Sequence, residues 1–527
     1  MAWAQITDMR NVTMDTEHSP APTSGEDEAN IVQLSPSGPA PGILSAIEPA
    51  QWPWPAPVAL LKPEPWQYFG AYDPARNGLG PLPLRQQDGK ALRKIVPHQA
   101  HGIWAPEPNR PDPVALVMKI NEDRQQEFVP IRMARMAASP FGFLRGACAV
   151  MAWDLAHTQV TGSLVIMHGD AHLNNFGFYG TPQRDVVFDL NDFDEGTLGP
   201  WEWDLKRLVA SVNVAARENG LDKDERREAV MKAVYGYRFN ARSLQSRGVL
   251  ATWYLHTFPG RDNPIYQFNP KTKAVFAKAI AKAERTDNAK LLLKSCQREV
   301  NGGWRFLEDP PLLTRVDADT EKKVIGSLIE YCETIPVERR YMLKRYRVVD
   351  IVRRVVGVGS IGTRAYLLLL FGSGDEDPLF LQVKEATHAA HAPYLPPLPP
   401  FLQHDGHRVV SAQRALQSSI DVLLGWTTID GRPFYVRQMK NMKAAIPIEW
   451  LVGEPFNEYA LLCGAILARA HTRSGDTAKI ASYCGKTEAI DEALADFAEA
   501  YGDQTERDHA ALVKAINTGK IAAIEGA

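Results

Sequence analysis

His168-Gly-Asp-Ala-His-Leu-Asn-Asn175 and, a short way on, Phe188-Asp-Leu-Asn-Asp-Phe-Asp-Glu195 are the two stretches on which the reading of this chain turns. An apolar run, Leu164 to Met167, delivers the first to a loop, and another, Val186 to Phe188, delivers the second. The pattern predicts a hairpin with the two polar clusters at matching ends. Between them they offer Asp170, Asn175, Asp189, Asp192 and Asp194, all oxygen donors. Hard oxygen ligands are what Mg2+ requires when it must also hold phosphate oxygens.

Immediately downstream, Gly199-Pro-Trp-Glu-Trp-Asp-Leu-Lys-Arg207 reads as a loop that opens a helix, with Leu205, Leu208, Val209 and Val212 as its apolar stripe. Asp204 falls where that helix begins, as an N-terminal cap, as a brace beneath the HGD loop, or as both. Upstream, apolar positions recur at helical spacing from Pro113 to Asp154, interrupted by a turn at Ser139 to Phe141. Arg132, Arg135 and Arg145 lie on that helical pair, and salt bridges or helix-end contacts account for them more economically than phosphate binding. Residues 220 to 340 read as mostly helical scaffold without chemistry of their own.

The texture changes at Tyr346. Residues 348 to 371 are rich in Val, Ile and Leu around Gly357-Val-Gly-Ser-Ile-Gly362, with Thr363 to Phe371 as a strand. A strand from Leu379 to Val383 carries Lys384. A helix, Val409 to Gln417, and two strands, Asp421 to Trp426 and Phe434 to Gln438, complete the segment. A G-x-G-x-x-G that opens a helix belongs to dinucleotide-binding folds. Here a β-branched, apolar strand follows it, which predicts a flap over nucleotide phosphates between antiparallel strands, with Lys384 reaching the phosphates. The backbone of Gly357, Gly359, Ser360 and Gly362 would line that flap. The tail from Phe456 is helical again.

The 527 residues carry 59 Lys and Arg against 62 Asp and Glu, a net charge of -3, which argues against a nucleic-acid surface as the main feature. The five cysteines form no C-x-x-C pair and no apolar stretch approaches the roughly 20 residues of a membrane span, so a reduced, cytoplasmic protein without membrane partners is expected. Residues 1–85, rich in Pro, Ala and acidic residues, are expected to be a disordered tail with order beginning near Gly89. Three units should follow: a helical lobe over 86–345, a sheet lobe over 346–450 and C-terminal helices over 451–527. Oligomeric state is not readable from the chain.

HGDAHLNN followed by a strand and an Asp resembles the catalytic segment of the aminoglycoside-phosphotransferase and choline-kinase branch of protein-kinase-like enzymes. The chain from GKALRKIVPHQAH through SPFGFLRGA to the tail also resembles the bacterial family known as domain of unknown function 2252. The kinase resemblance implies an α+β, two-lobed fold that binds ATP and Mg2+ and phosphorylates an acceptor hydroxyl. Carried over by position, Asp170 matches the catalytic base, Asn175 and Asp189 the metal ligands, with Asp192 as a further ligand, and Asp204 the helix Asp supporting the loop. His168 would hydrogen-bond the loop backbone, His172 would be packed structure, and Phe434 to Gln438, continuing to Lys440, would be the adenine-facing hinge.

Two departures from that pattern carry expectations of their own. The glycines and Lys384 come roughly 190 to 215 positions after Asp170, whereas kinases place them before it. A circular permutation, catalytic helical lobe first and nucleotide-binding sheet lobe second, reconciles the order. It predicts Lys384 across a cleft from Asp189. The helix that should offer a Glu to Lys384 offers Gln413 and Gln417, so the lysine is expected to be oriented by a glutamine or paired with Glu385. Three rival readings remain. A pseudokinase or scaffold would bind ATP without turnover, and a protein AMP-transferase would use the same site with ATP reversed. A dinuclear metal hydrolase would gather His168, Asp170, His172, Asp189 and Asp192.

Overall fold

Long apolar helices and strands apolar on both faces have to bury each other, and they do so here in two adjoining halves. In the computed structural model residues 79–257, 267–300, 302–355, 357–439 and 442–524 are described. All of them belong to the larger of two units, Pro49–Ala527. The expected tail over 1–85 therefore falls mostly outside the described residues, but a helix runs from Leu82 to Ile95, so order begins before Gly89.

The first half starts with four short helices, Pro113–Asn121, Val129–Ala137, Pro140–Gly146 and Cys148–Ala156. Ser139 breaks the run by capping the third, its Oγ accepting from the Gly142 amide at 3.0 Å. Four strands follow: β1 (Leu164–Met167), β2 (Phe176–Gly180), β3 (Val186–Leu190) and β4 (Thr197–Pro200). The expected hairpin is corrected here. β1 pairs with β4, Leu164 opposite Pro200, and β3 pairs with β2, Phe178 opposite Phe188. Both partner strands contain glycine, and β4 ends in proline, so neither announces itself by β-propensity. Helices α1 (Trp201–Glu218) and α2 (Lys223–Leu244) then build the core.

The second half is a six-stranded antiparallel sheet. In chain order it comprises β5 (Leu313–Arg315), helix α3 (Ala318–Thr334), β6 (Arg347–Arg354), β7 (Ala365–Phe371), β8 (Pro378–Glu385), helix α4 (Asp405–Leu416), β9 (Gly425–Ile429) and β10 (Arg432–Gln438). Across the sheet the strands run β9-β10-β8-β7-β6-β5. Residues 220–340 are thus not only helical. They supply β5, the covering helix α3, and a small hairpin of Cys296–Arg298 with Trp304–Phe306, so the sheet half begins well before Tyr346.

The unbroken apolar run of β7 reflects burial on both faces. Tyr366, Leu368 and Leu370 pack with Val324 and Tyr331 of α3, while Leu367, Leu369 and Phe371 pack with Leu291 and Phe306. β8 alternates in the same way: Leu379, Leu381 and Val383 face α3, and Phe380, Gln382 and Lys384 face the other side. Toward its C-terminal end the second face turns from apolar to polar, where the sheet meets the acidic stretch of the first half.

Helices α5 (Glu454–His471) and α6 (Ala489–Asn517) return to the first half and complete its core with α1 and α2. α2 and α5 approach through glycines; a Cβ on Gly464 would lie 1.9 Å from the Ala233 carbonyl oxygen. After β10 the chain pairs with β2, Ala444 exchanging two backbone hydrogen bonds with Phe178 at 2.8 and 3.0 Å, which stitches the halves together behind the site. No described helix is long and apolar enough to cross a membrane.

Candidate functional site

The HGD loop is held from below. Asp204, buried in the first turn of α1, accepts from the amides of His168 (2.6 Å) and Gly169 (2.8 Å) and pairs with His471 of α5 at 3.0 Å. Burial disfavours its charge, but His471 and the amides outweigh that and hold the carboxyl below its ordinary 3.8. It braces the loop and does not cap α1, whose N-cap is Pro200. His168 accepts from the Asp170 amide through Nδ1 (3.2 Å), so Nε2 is the protonated nitrogen that donates to the Asn191 carbonyl (2.9 Å). It therefore ties the two motifs together. Gly169 sits at φ 78°, with space for a Cβ filled by the Glu195 carbonyl oxygen at 2.2 Å. Only glycine allows this contact.

Asp170 emerges from that loop with Oδ1 held by Arg207 Nε and Nη2 at 2.9 and 2.8 Å, while Oδ2 lies 3.5 Å from His172 Nε2. Arg207 is fixed by the Leu144 carbonyl at 2.7 Å. Against the cost of burial, His172 and Arg207 keep the Asp170 carboxyl below its ordinary value, so it is a carboxylate at neutral pH. Burial pushes the His172 imidazole down to about 3, and its Nδ1 is buried without a partner among the described residues. Asn175 donates to the Asp170 carbonyl at 2.8 Å, and its Oδ1 has no hydrogen-bond partner among the described residues. The Asn191 amide donates to the Asn175 carbonyl at 2.7 Å, which seats the acidic turn beside it.

The aspartates of that stretch differ completely in their surroundings. Asp189 is sealed in the interior: it pairs with Arg469 of α5 and accepts from the Leu190 amide through Oδ1, and it accepts from the Ser418 amide at 2.7 Å through Oδ2. It is a structural carboxylate with no oxygen left for a metal, which corrects its expected role. Asp192, at φ 64°, and Asp194 instead point at the sheet half. Lys384 Nζ pairs with Asp194 Oδ2 and lies 3.5 Å from Asp192 Oδ1. The expected approach of Lys384 to Asp189 is replaced by contact with residues three and five positions further on. Crowding raises the Asp192 carboxyl, but Lys384, Arg437 and Lys443 outweigh it and hold Asp192 far below the usual carboxylate range.

The glycine stretch folds as a short 3-10 turn, Val358–Ser360, above this contact. Ser360 Oγ lies 3.3 Å from Asp194 Oδ2, the oxygen that Lys384 uses. Arg124 donates to the carbonyls of Ile361 (2.7 Å) and Gly359 (2.9 Å), and the Gln125 amide to that of Gly362 (2.8 Å). Gly357 is exposed. The glutamine expectation fails: Gln413 donates to Gln417 (2.9 Å), Gln417 donates to the Leu190 carbonyl (2.9 Å), and neither touches Lys384. Glu385 pairs with Arg364 and Arg432. The partner of Lys384 comes from the acidic turn. Gln438 ends β10 with its amide on Asp421 Oδ2 at 2.5 Å; Lys440 lies outside the described residues.

Sequence reasoning passed over several groups that converge here. Arg408 of α4 donates to the carbonyls of Gly196 (2.6 Å), Asp194 (2.9 Å) and Thr387 (2.7 Å) and so registers the acidic turn on the sheet half. Arg437 holds Gln382 at 3.0 Å beside Lys384. The Nε of Arg145 is buried with no partner among the described residues. Isolated basic residues carry no periodic or motif signal, so nothing in the sequence singles out Arg408 or Arg437, and Arg145 reads there as a salt bridge or helix-end contact. The hydrolase ligands do not assemble, because His168 is spent on backbone and Asp189 on Arg469. Among the described residues the one group of three metal-capable donors is Cys148, Glu195 and His391.

Fold and site together define a mixed α+β protein in which charged residues of a helical half and an antiparallel-sheet half meet. A family model described as "Uncharacterized protein conserved in bacteria (DUF2252)" matches residues 124–515, and the chain belongs to that family. No curated protein and no solved structure matches it.

Proposed function

We propose that this protein is an ATP- and Mg2+-dependent phosphotransferase, kinase-like in architecture with its lobes in permuted order, acting on a hydroxyl acceptor. The observation that carries the reading is the meeting of Lys384, Ser360 and the Asp192 to Asp194 turn across the two halves. The expected order of strand, glycine turn, strand, lysine strand, helix, strand and strand is also the order of β6 to β10 with α4.

The residues present fit the groups this reading requires. Asn175 Oδ1, Asp192 and Asp194, whose Oδ1 is buried without a partner among the described residues, are the oxygens that would hold Mg2+. Lys384, Arg437 and Arg145 are the cations that would take phosphate oxygens. When bound, Mg2+ supplies neutralisation of charge on the transferring phosphoryl group. Lys384, held charged by Asp192 and Asp194 despite its burial, would turn from the turn's carboxylates to the nucleotide. Asp170, with Oδ1 fixed by Arg207, presents Oδ2 to accept a hydrogen bond from the acceptor hydroxyl and orient it for attack. Its low proton affinity makes orientation its larger contribution.

The test is incubation with γ-labelled and α-labelled ATP and Mg2+, with thermal melting in parallel. The expected results are a Mg2+-dependent rise in Tm on adding ATP, loss of that rise in Lys384→Met, and release or transfer of γ label that Asp170→Ala abolishes. Transfer of α label would instead identify AMP transfer. Binding without release or transfer of either label would leave a scaffold, and absence of any ATP-dependent shift in Tm would overturn the reading.

A further inference from the structure

The chemistry-bearing cluster that the motifs leave out lies beside Asp170. Cys148 opens the helix Cys148–Ala156, Glu195 ends the acidic turn, and His391 lies on the loop after β8; one donor atom from each falls within 4.8 Å of the other two. They come from three segments distant in sequence, so their meeting is a product of the fold. Each retains a donor atom without a strong hydrogen bond among the described residues. Cys148 Sγ reaches only the Gly169 carbonyl at 3.5 Å, a long contact for a weak donor. Glu195 accepts the Ala390 amide through Oε2 at 2.6 Å, and its Oε1 has no hydrogen-bond partner among the described residues. His391 is 2% exposed and stacked on Trp203 with ring centroids 5.5 Å apart, yet its Nδ1 has no hydrogen-bond partner among the described residues. A buried imidazole nitrogen left without a partner is costly, and a metal is one of the few partners that would satisfy it.

We propose that Cys148, Glu195 and His391 form a three-ligand site for a divalent transition metal, Zn2+ by the chemistry of the donors, distinct from the Mg2+ position at Asn175 and Asp192. A thiolate, an imidazole and a carboxylate suit a borderline-soft ion and not Mg2+, which takes oxygen alone. Three protein ligands with a fourth position left for water or substrate is the pattern of a catalytic zinc, whereas structural sites are closed by four. Bonds of about 2.0–2.3 Å place tetrahedral ligands about 3.5 Å apart, so the present spacing closes by about 1 Å on binding. Rotation of Glu195 about its side-chain bonds covers that distance. The metal would tie the first half's Cys148 helix to the sheet half's His391 loop through the end of the acidic turn. The cluster adjoins the HGD loop, since Cys148 Sγ lies against the carbonyl of Gly169, the residue before Asp170.

The experiment uses the full chain freed of metal by a chelator and titrated with Co2+ and then Zn2+ alone, so nucleotide binding does not enter the result. The expected outcome is one Co2+ per chain, with a near-ultraviolet thiolate-to-cobalt band and the intense visible bands of tetrahedral cobalt, both removed by Zn2+. Cys148→Ser should lose the near-ultraviolet band and weaken Zn2+ binding on the order of 100-fold, since even outer partners of a zinc ligand are worth roughly 10–100-fold. His391→Ala should weaken it comparably. Should either variant fold poorly, the wild-type chain answers alone: Zn2+ should protect Cys148 from alkylation, read by peptide mass spectrometry. Binding no tighter than millimolar, a cobalt spectrum lacking the thiolate band, retained affinity in folded Cys148→Ser, or equal alkylation with and without Zn2+ would each overturn the proposal.

Discussion

The HGDAHLNN loop and the Asp192 to Glu195 turn lie side by side but are held in opposite ways. Asp204 of α1, His471 of α5 and the Ser211 hydroxyl, which takes the Leu173 amide at 3.1 Å, fix the first, all from helices of its own half. The second is set largely from the other half, by Arg408 on its carbonyls, Lys384 and Ser360 on Asp194, and the Ala390 amide on Glu195. The loop that carries Asp170 is therefore part of a core, while the turn that carries Asp192 takes its position from the packing of one half on the other. An arrangement divided this way can keep the Asp170 loop rigid and still let the Asp192 turn respond to how one half packs on the other.

The largest expected effect tests the rigid side. Asp204→Ala strands two buried amides and His471, and should cost about 3–5 kcal/mol in urea unfolding. Arg408→Met removes the ties to the turn but leaves His388 on Asp405, and should cost less, about 2 kcal/mol. Equal losses would erase the distinction between the two regions. A second pair sharpens it within one stretch of sequence. Asp189→Asn leaves Arg469 as an uncompensated buried charge and should cost about 3 kcal/mol. Asp192→Asn should stay within about 1 kcal/mol of wild type, since its side chain is 43% exposed and asparagine tolerates its left-handed backbone. The same change should abolish the Mg2+-dependent rise in Tm with ATP, and retention of that rise would remove Asp192 from the site.

The smallest effect is a difference in pH response. Asp204 is held below its ordinary 3.8, so its stabilisation is present above that value and is lost only as pH falls through its lower folded value. His388 is raised above 6.5 by its hydrogen bond to Asp405 at 2.6 Å, and Asp405 also holds Arg408 at 2.7 Å. Its contribution is present below 6.5 and lost as pH rises through its folded value. Between pH 6 and 9, corrected for intrinsic exchange, amide hydrogen exchange near Ala390 should become relatively faster while that at His168 and Gly169 does not. Asp405→Asn should remove the difference, and a uniform response of both regions would contradict the division.

Local signals carried much of this. Leu164–Met167 is a strand to the residue, and the apolar runs of β7 and β8 and the glycine turn between β6 and β7 fall where the sequence predicts them. β2 and β4 escaped because FGFYG and TLGP owe their pairing to neighbours and not to their own propensity. β5 escaped because three residues leave no periodicity to read. Of the residues singled out, His168 ties the two motifs through backbone contacts and Lys384 reaches the acidic turn, whereas Asp189 is neutralised by Arg469.

What the sequence determined by itself is the inventory: an HGDAHLNN loop and an FDLNDFDE stretch delivered by apolar strands, and a later sheet with a glycine turn and a lysine, because these depend on residues close along the chain. Which carboxylates are buried and which are offered was decided by tertiary structure alone. Asp189 is neutralised by Arg469, 280 positions away, and Asp194 meets Lys384, 190 positions away, and no local pattern encodes either meeting. The same holds for Cys148 and His391, single residues without a motif until the fold brings them to Glu195 at the end of the acidic stretch. The physical reason is that a carboxylate's role is set by the charges and amides packed around it, and in this protein those arrive from distant segments of the chain.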